Sequence, residues 1–133
     1  MFTGRYGFGV DLEKPFDEVL TKVQEVLKTE GFGVLTTIDV KETLRQKLGL
    51  DMERYVILGA CNPPFAHRAL ETEREVGLLL PCNVVVREVD GKTRVEIADP
   101  KAMLGIVGNP ALDELAAEAR TRLQRALQTL ESS

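Results

Sequence analysis

The 133-residue chain has no tryptophan, a single histidine and only two cysteines. Those cysteines form no C-x2-C pair, which excludes the close ligand pairs typical of structural zinc modules. No apolar run approaches the ~20 residues needed to cross a bilayer, and residues 1–20 lack a charged-then-apolar signal pattern. The expected location is therefore cytoplasmic, where reducing conditions keep two cysteines as free thiols rather than a structural disulfide. A basic excess is also missing: Lys plus Arg number 17 against 21 Asp plus Glu, a net charge of -4. That balance argues against nucleic acid, whose phosphates call for clustered cations. Arg120, Arg122 and Arg125 are the one basic cluster, and among Glu118 and Glu131 they read as a solvated helix face. The glycines of Gly105-Ile-Val-Gly108-Asn-Pro lack both the Lys-Ser/Thr of a phosphate loop and the third glycine of a dinucleotide fingerprint.

What is present is an ordinary globular composition, 44% hydrophobic and 29% charged, in a length that suits a single domain over residues 1–133. Tyr6 to Leu12 alternates apolar and polar residues, as a strand with one buried face does. Pro15 opens a helix whose apolar positions run from Phe16 to Leu27 at helical spacing, with Gly31 at its stop. Phe32 to Asp39 is a β-branched strand, and Lys41 to Leu48 a short helix ending at Gly49. Tyr55 to Cys61 is apolar at both parities and predicts a central strand covered on both sides. Asn62-Pro63, Asp99-Pro100 and Asn109-Pro110 each read as a cap followed by a first helical residue. The first of them starts a helix through about Glu75. Asn83 to Val89 and Thr93 to Ala98 pair through Asp90-Gly91, a strong hairpin signal. Leu112 to Leu130 forms one long amphipathic helix. Together these predict a two-layer α+β domain, a mixed sheet of about five strands with long amphipathic helices on one face.

The residue types able to carry chemistry are concentrated in Cys61-Asn62-Pro63-Pro64, Pro81-Cys82-Asn83 and the intervening His67. If the second and third strands run parallel and the fourth antiparallel, Asp39, Cys61 and Cys82 meet at one sheet edge, with Asp99 and Met103 arriving from the hairpin. A thiol just before a helix N-terminus can have its pKa lowered by the amide dipoles. Cys61 with His67 as base, and Cys82 beside them, are thus the candidate catalytic residues. Asp39, Asn62 and Asn83 are candidate ligand-binding residues. Cys61, His67 and Cys82 also make a candidate metal set with an open position, softened if Met103 joins. The plainer alternatives are cysteines acting as small hydrophobes, His67 pairing with Glu71 at i+4, and asparagines serving only as caps and turns.

Three segments, Gly31-Phe-Gly-Val-Leu-Thr-Thr-Ile-Asp39, Leu58-Gly-Ala-Cys-Asn-Pro-Pro-Phe-Ala-His67 and Gly77-Leu-Leu-Leu-Pro-Cys-Asn-Val84, resemble hallmark blocks of the bacterial and archaeal family called domain of unknown function 302. Asp99-Pro100, Met103 and the Gly108-Asn-Pro turn extend the resemblance over almost the whole chain. The resemblance implies a small α+β fold and carries no reaction, cofactor or catalytic residue. Two functions remain open at this point. One is a thiol-containing pocket for a small ligand, an anion or a soft metal. The other is a homo-oligomeric module, expected as a dimer, that binds through an uncovered sheet face and keeps its cysteines for packing.

Overall fold

A computed structural model describes residues 1–133. Its frame is a six-stranded sheet in the order β1-β2-β6-β5-β4-β3, with every neighbouring pair antiparallel. The strands are β1 (Phe2–Thr3), β2 (Gly7–Leu12), β3 (Gly33–Asp39), β4 (Tyr55–Cys61), β5 (Cys82–Val89) and β6 (Lys92–Ala98). The helices are α1 (Phe16–Thr29), α2 (Val40–Leu48), α3 (Pro63–Thr72), α4 (Pro100–Gly105) and α5 (Asp113–Ser132), with 3-10 turns at Arg74–Leu79 and Pro110–Leu112.

Strand alternation decides the core. Phe8, Val10, Leu58, Val84, Val86, Val95 and Ile97 point to one face and are almost fully buried there, against the stripes of α1 (Val19, Val23, Leu27) and α5 (Leu123, Leu127, Leu130). Periods of two and 3.6 put each apolar set on a single side. The helix ends behave as their sequences predict. Gly31 takes φ 84° while the Phe32 amide donates to Leu27 O and the Gly31 amide to Lys28 O, a Schellman closure of α1. In the β5–β6 hairpin, Asp90 at φ 51° and Gly91 at φ 76° fit a type I′ turn, whose twist matches that of the strands it joins.

The α+β architecture with helices on one face stands, while two expectations about its strands change. β3 and β4 are antiparallel, with Gly33 opposite Cys61 and Asp39 opposite Val56. A parallel crossover needs a helix that packs a stripe back onto the sheet, and α2 has no buried residue. It only extends the turn. β4 does lie inside the sheet, between β3 and β5, but one face of it is left without helices: Val56, Leu58 and Ala60 are buried, whereas Tyr55, Ile57 and Cys61 of the other parity are half-buried. The short β1, a sixth strand, was not legible in Phe2–Thr3.

On the sheet face away from the helices, Arg94 donates to both carboxylate oxygens of Asp11 at 2.7 and 3.0 Å, and Arg87 donates to Glu96 at 2.6 Å. Arg87 and Arg94 are direct cross-strand neighbours, so the two carboxylates offset a like-charge pair.

Candidate functional site

The site grows from three Asx-Pro caps, two of them where the chain leaves a strand. After β4, the Asn62 side-chain oxygen accepts from the Phe65 amide at 3.2 Å and starts α3. After β6, Asp99 accepts from the Lys101 amide at 2.9 Å and starts α4. Before α5, Asn109 accepts from the Ala111 amide at 3.0 Å. Each cap satisfies an amide that helical geometry leaves orphaned. The returning segment Arg74–Leu79 leads through a cis Leu80–Pro81 peptide into β5. Pro81 lies tight on β4: a Cβ on Gly59 would come within 2.8 Å of its Cγ.

These turns leave a cavity of about 290 Å³ at the end of the sheet, under α3, α4 and α5. Alanines create the void. Ala60 and Ala98 on the strands, Ala66 and Ala69 on α3 and Ala119 on α5 all border it, and each side chain ends at Cβ. Phe32 and Phe65 form one wall, edge to face at 6.4 Å between centroids. Leu79, Leu80, Met103 and Leu104 close the outer side, and no lining residue carries a charge. Leu78, also in the lining, is 87% exposed and stands at the rim.

Both cysteines border this cavity, as do Asn62, Asn83 and Met103. Cys82 lies opposite Ala60 and packs against the main core, its S–H donating to Ala98 O at 3.6 Å. Burial, with a further push from the Asp99 carboxylate, raises its thiol to about 12. Cys61 is one residue beyond Ala60, so strand alternation turns its Cβ to the other side of the sheet. Its thiol is also raised, by burial, where the helix dipole was expected to lower it. The α3 amide nearest the cap is already bonded to Asn62, and desolvation disfavours the thiolate.

Three expectations about the site are corrected. His67 does not border the cavity: its side chain is 75% exposed, with Nε2 3.1 Å from Glu71 Oε1. The apolar residues Phe65, Ala66 and Ala69 set the inward stripe of α3, and His67 falls outside it. Asp39 lies at the opposite end of the sheet, where it caps α2 by accepting from the Glu42 amide at 3.0 Å; the antiparallel β3–β4 pairing put it there. Finally, no three His, Cys, Asp or Glu side chains are close enough to hold a metal ion, so Cys61, His67 and Cys82 do not assemble into a metal set. Sequence reasoning passed over the alanines and the Leu78–Leu80 run. The signal was available, since Ala60 and Ala98 are small residues at buried or half-buried strand ends.

The family described as domain of unknown function DUF302 matches residues 8–130. A crystal structure of an uncharacterized conserved protein DUF302 from Bacillus stearothermophilus superposes with a TM-score of 0.88 at 38% identity, covering 94% of this chain and 98% of that one. No curated protein matches the chain. A family match over most of the sequence and a solved relative of the same size and fold agree: the chain belongs to the DUF302 family.

Proposed function

We propose that the chain is a binding module for a small, largely apolar molecule held in the cavity between the sheet end and α3, α4 and α5. The observation that carries this reading is the partly open 290 Å³ recess without a charged lining residue. It approaches the lower bound of roughly 300 Å³ for ligand pockets. The Cys82 thiol and the Met103 thioether give its wall polarisable, weakly hydrogen-bonding atoms. The arrangement favours binding over catalysis, because neither thiol is held as a thiolate and the only imidazole is paired outside. A cysteine nucleophile needs both an activated sulfur and a base within reach.

The test is a fluorescence titration with 1-aminoanthracene, a neutral apolar dye. Saturable binding of one dye per chain is expected. Ala66→Phe, which fills the half-exposed side of the cavity, should weaken it at least about tenfold, or about 1.4 kcal/mol, with the circular dichroism unchanged. Absent saturation, or an indifferent Ala66→Phe, would overturn the reading.

A second reading, compatible with the first, is self-association along β3. This edge strand carries no charge and no proline from Gly33 to Ile38, the devices that normally protect an edge. Leu35 and Ile38 are exposed on it, as are Leu48 at the end of α2 and Leu50 just beyond it. A second copy can meet this uncharged edge by a two-fold antiparallel pairing without like-charge contact, although the chain's net charge is -4. Sedimentation velocity should give a dimer that Ile38→Lys converts to monomer. A wild-type monomer at high concentration would rule this pairing out.

A further inference from the structure

The cavity bears on what kind of molecule it takes, and this inference rests on the binding role just proposed. A pocket that accepts a carboxylate or phosphate must replace the hydration of that anion, and an uncompensated buried charge costs several kcal/mol. Arg120 and Arg122, on α5 beside the lining residues Ala119 and Leu123, are already matched. Arg120 donates to Asp99 at 3.0 Å and its guanidinium lies 5.7 Å from the centre of the Phe8 ring. Arg122 donates to Glu118 at 3.2 Å, and its guanidinium sits 4.9 Å from the centre of the Phe65 ring, on a residue that forms part of the wall. Asp99 adds a negative charge next to the lining residues Ala98 and Pro100, and its influence reaches the Cys82 sulfur. The Asn62 oxygen is spent on the α3 cap, so the side-chain polar groups left in the lining are neutral amides and thiols.

We propose that this cavity selects uncharged ligands, molecules with a compact aliphatic or aromatic body and at most a neutral hydrogen-bonding group, and that it rejects carboxylates and phosphates of the same size. The space is close to twice the ~150 Å³ of an apolar cavity that takes up benzene, which sets the body at about two or three fused rings or a medium-length chain. A hydroxyl can be served by the neutral polar groups of the lining, Cys82 among them, whereas a carboxylate would find no cation among the lining residues.

The experiment compares 1-octanol with octanoate as competitors for bound 1-aminoanthracene at neutral pH, where octanoate is ionised. Displacement by 1-octanol with at least about tenfold weaker displacement by octanoate, a difference of about 1.4 kcal/mol, is the expected result. Met103→Lys, which adds a cation at the half-exposed edge of the cavity, should narrow that gap by improving octanoate alone. Equal or tighter binding of octanoate, or failure of both competitors while the dye still binds, overturns the selectivity and leaves the binding role standing. Failure of the dye itself overturns the binding role and the selectivity with it.

Discussion

Cys82 is under two pressures that act in the same direction on one proton. An apolar surround disfavours its thiolate, and the neighbouring Asp99 carboxylate disfavours it further. In the unfolded chain the thiol returns to its ordinary range near 8.5. The folded state therefore keeps a proton that the unfolded state loses between that value and about 12. The sign follows: stability linked to Cys82 is fully present below about pH 8.5 and declines as pH rises towards the folded value, at up to about 1.4 kcal/mol per pH unit. Urea unfolding across this alkaline range should show the decline, and Cys82→Ala should flatten it; equal slopes in the two proteins would contradict the assignment. Asp99→Asn, which keeps an Asx cap on α4, should lower the Cys82 titration while leaving it above the ordinary thiol range, because burial is the larger cause.

Elements were legible where a local rule was strong. Asn62-Pro63, Asp99-Pro100 and Asn109-Pro110 predicted helix starts from residue type alone, and each Asx side chain accepts the amide it should. The Asp90-Gly91 turn fixed the β5–β6 register in the same way, since φ is positive at both residues. Strand direction across β3 and β4 was not legible, because it depends on whether the intervening helix packs on the sheet. The polar run Lys41 to Lys47 was the available warning. His67 was misplaced for a related reason: nearness in sequence to Cys61 says nothing about which side of α3 a residue faces. The cap itself is testable. Asn62→Ala should destabilise the protein by about 1 kcal/mol and weaken 1-aminoanthracene binding, since α3 carries Phe65 and Ala66 into the cavity wall. Asn109→Ala, on an exposed turn, should cost less in denaturant melts and leave dye affinity unchanged. The reverse order would show that the cavity does not depend on the α3 cap.

For the whole molecule, the sequence indicated an α+β protein with one helical layer, and the burial pattern bears this out. It could not indicate that the two cysteines lie on adjacent strands, Cys82 opposite Ala60 and Cys61 opposite Gly33. That is a long-range pairing, decided by how six strands order themselves rather than by any local signal. A smaller cluster of Ala69, Val76, Leu112 and Leu115 packs over the sheet end beside the main core, and the cavity lies where these two bodies fail to close on each other.

That incomplete closure has a mechanical consequence. Side chains that end at Cβ have no rotamers with which to swing inward, so the empty volume persists until the fold opens. Unfolding removes the part of that volume that excludes water, which favours the unfolded state under pressure. Hydrostatic pressure should melt this protein more readily than Ala66→Phe, as followed by tyrosine fluorescence in a high-pressure cell, and a tightly held guest should raise its resistance to compression.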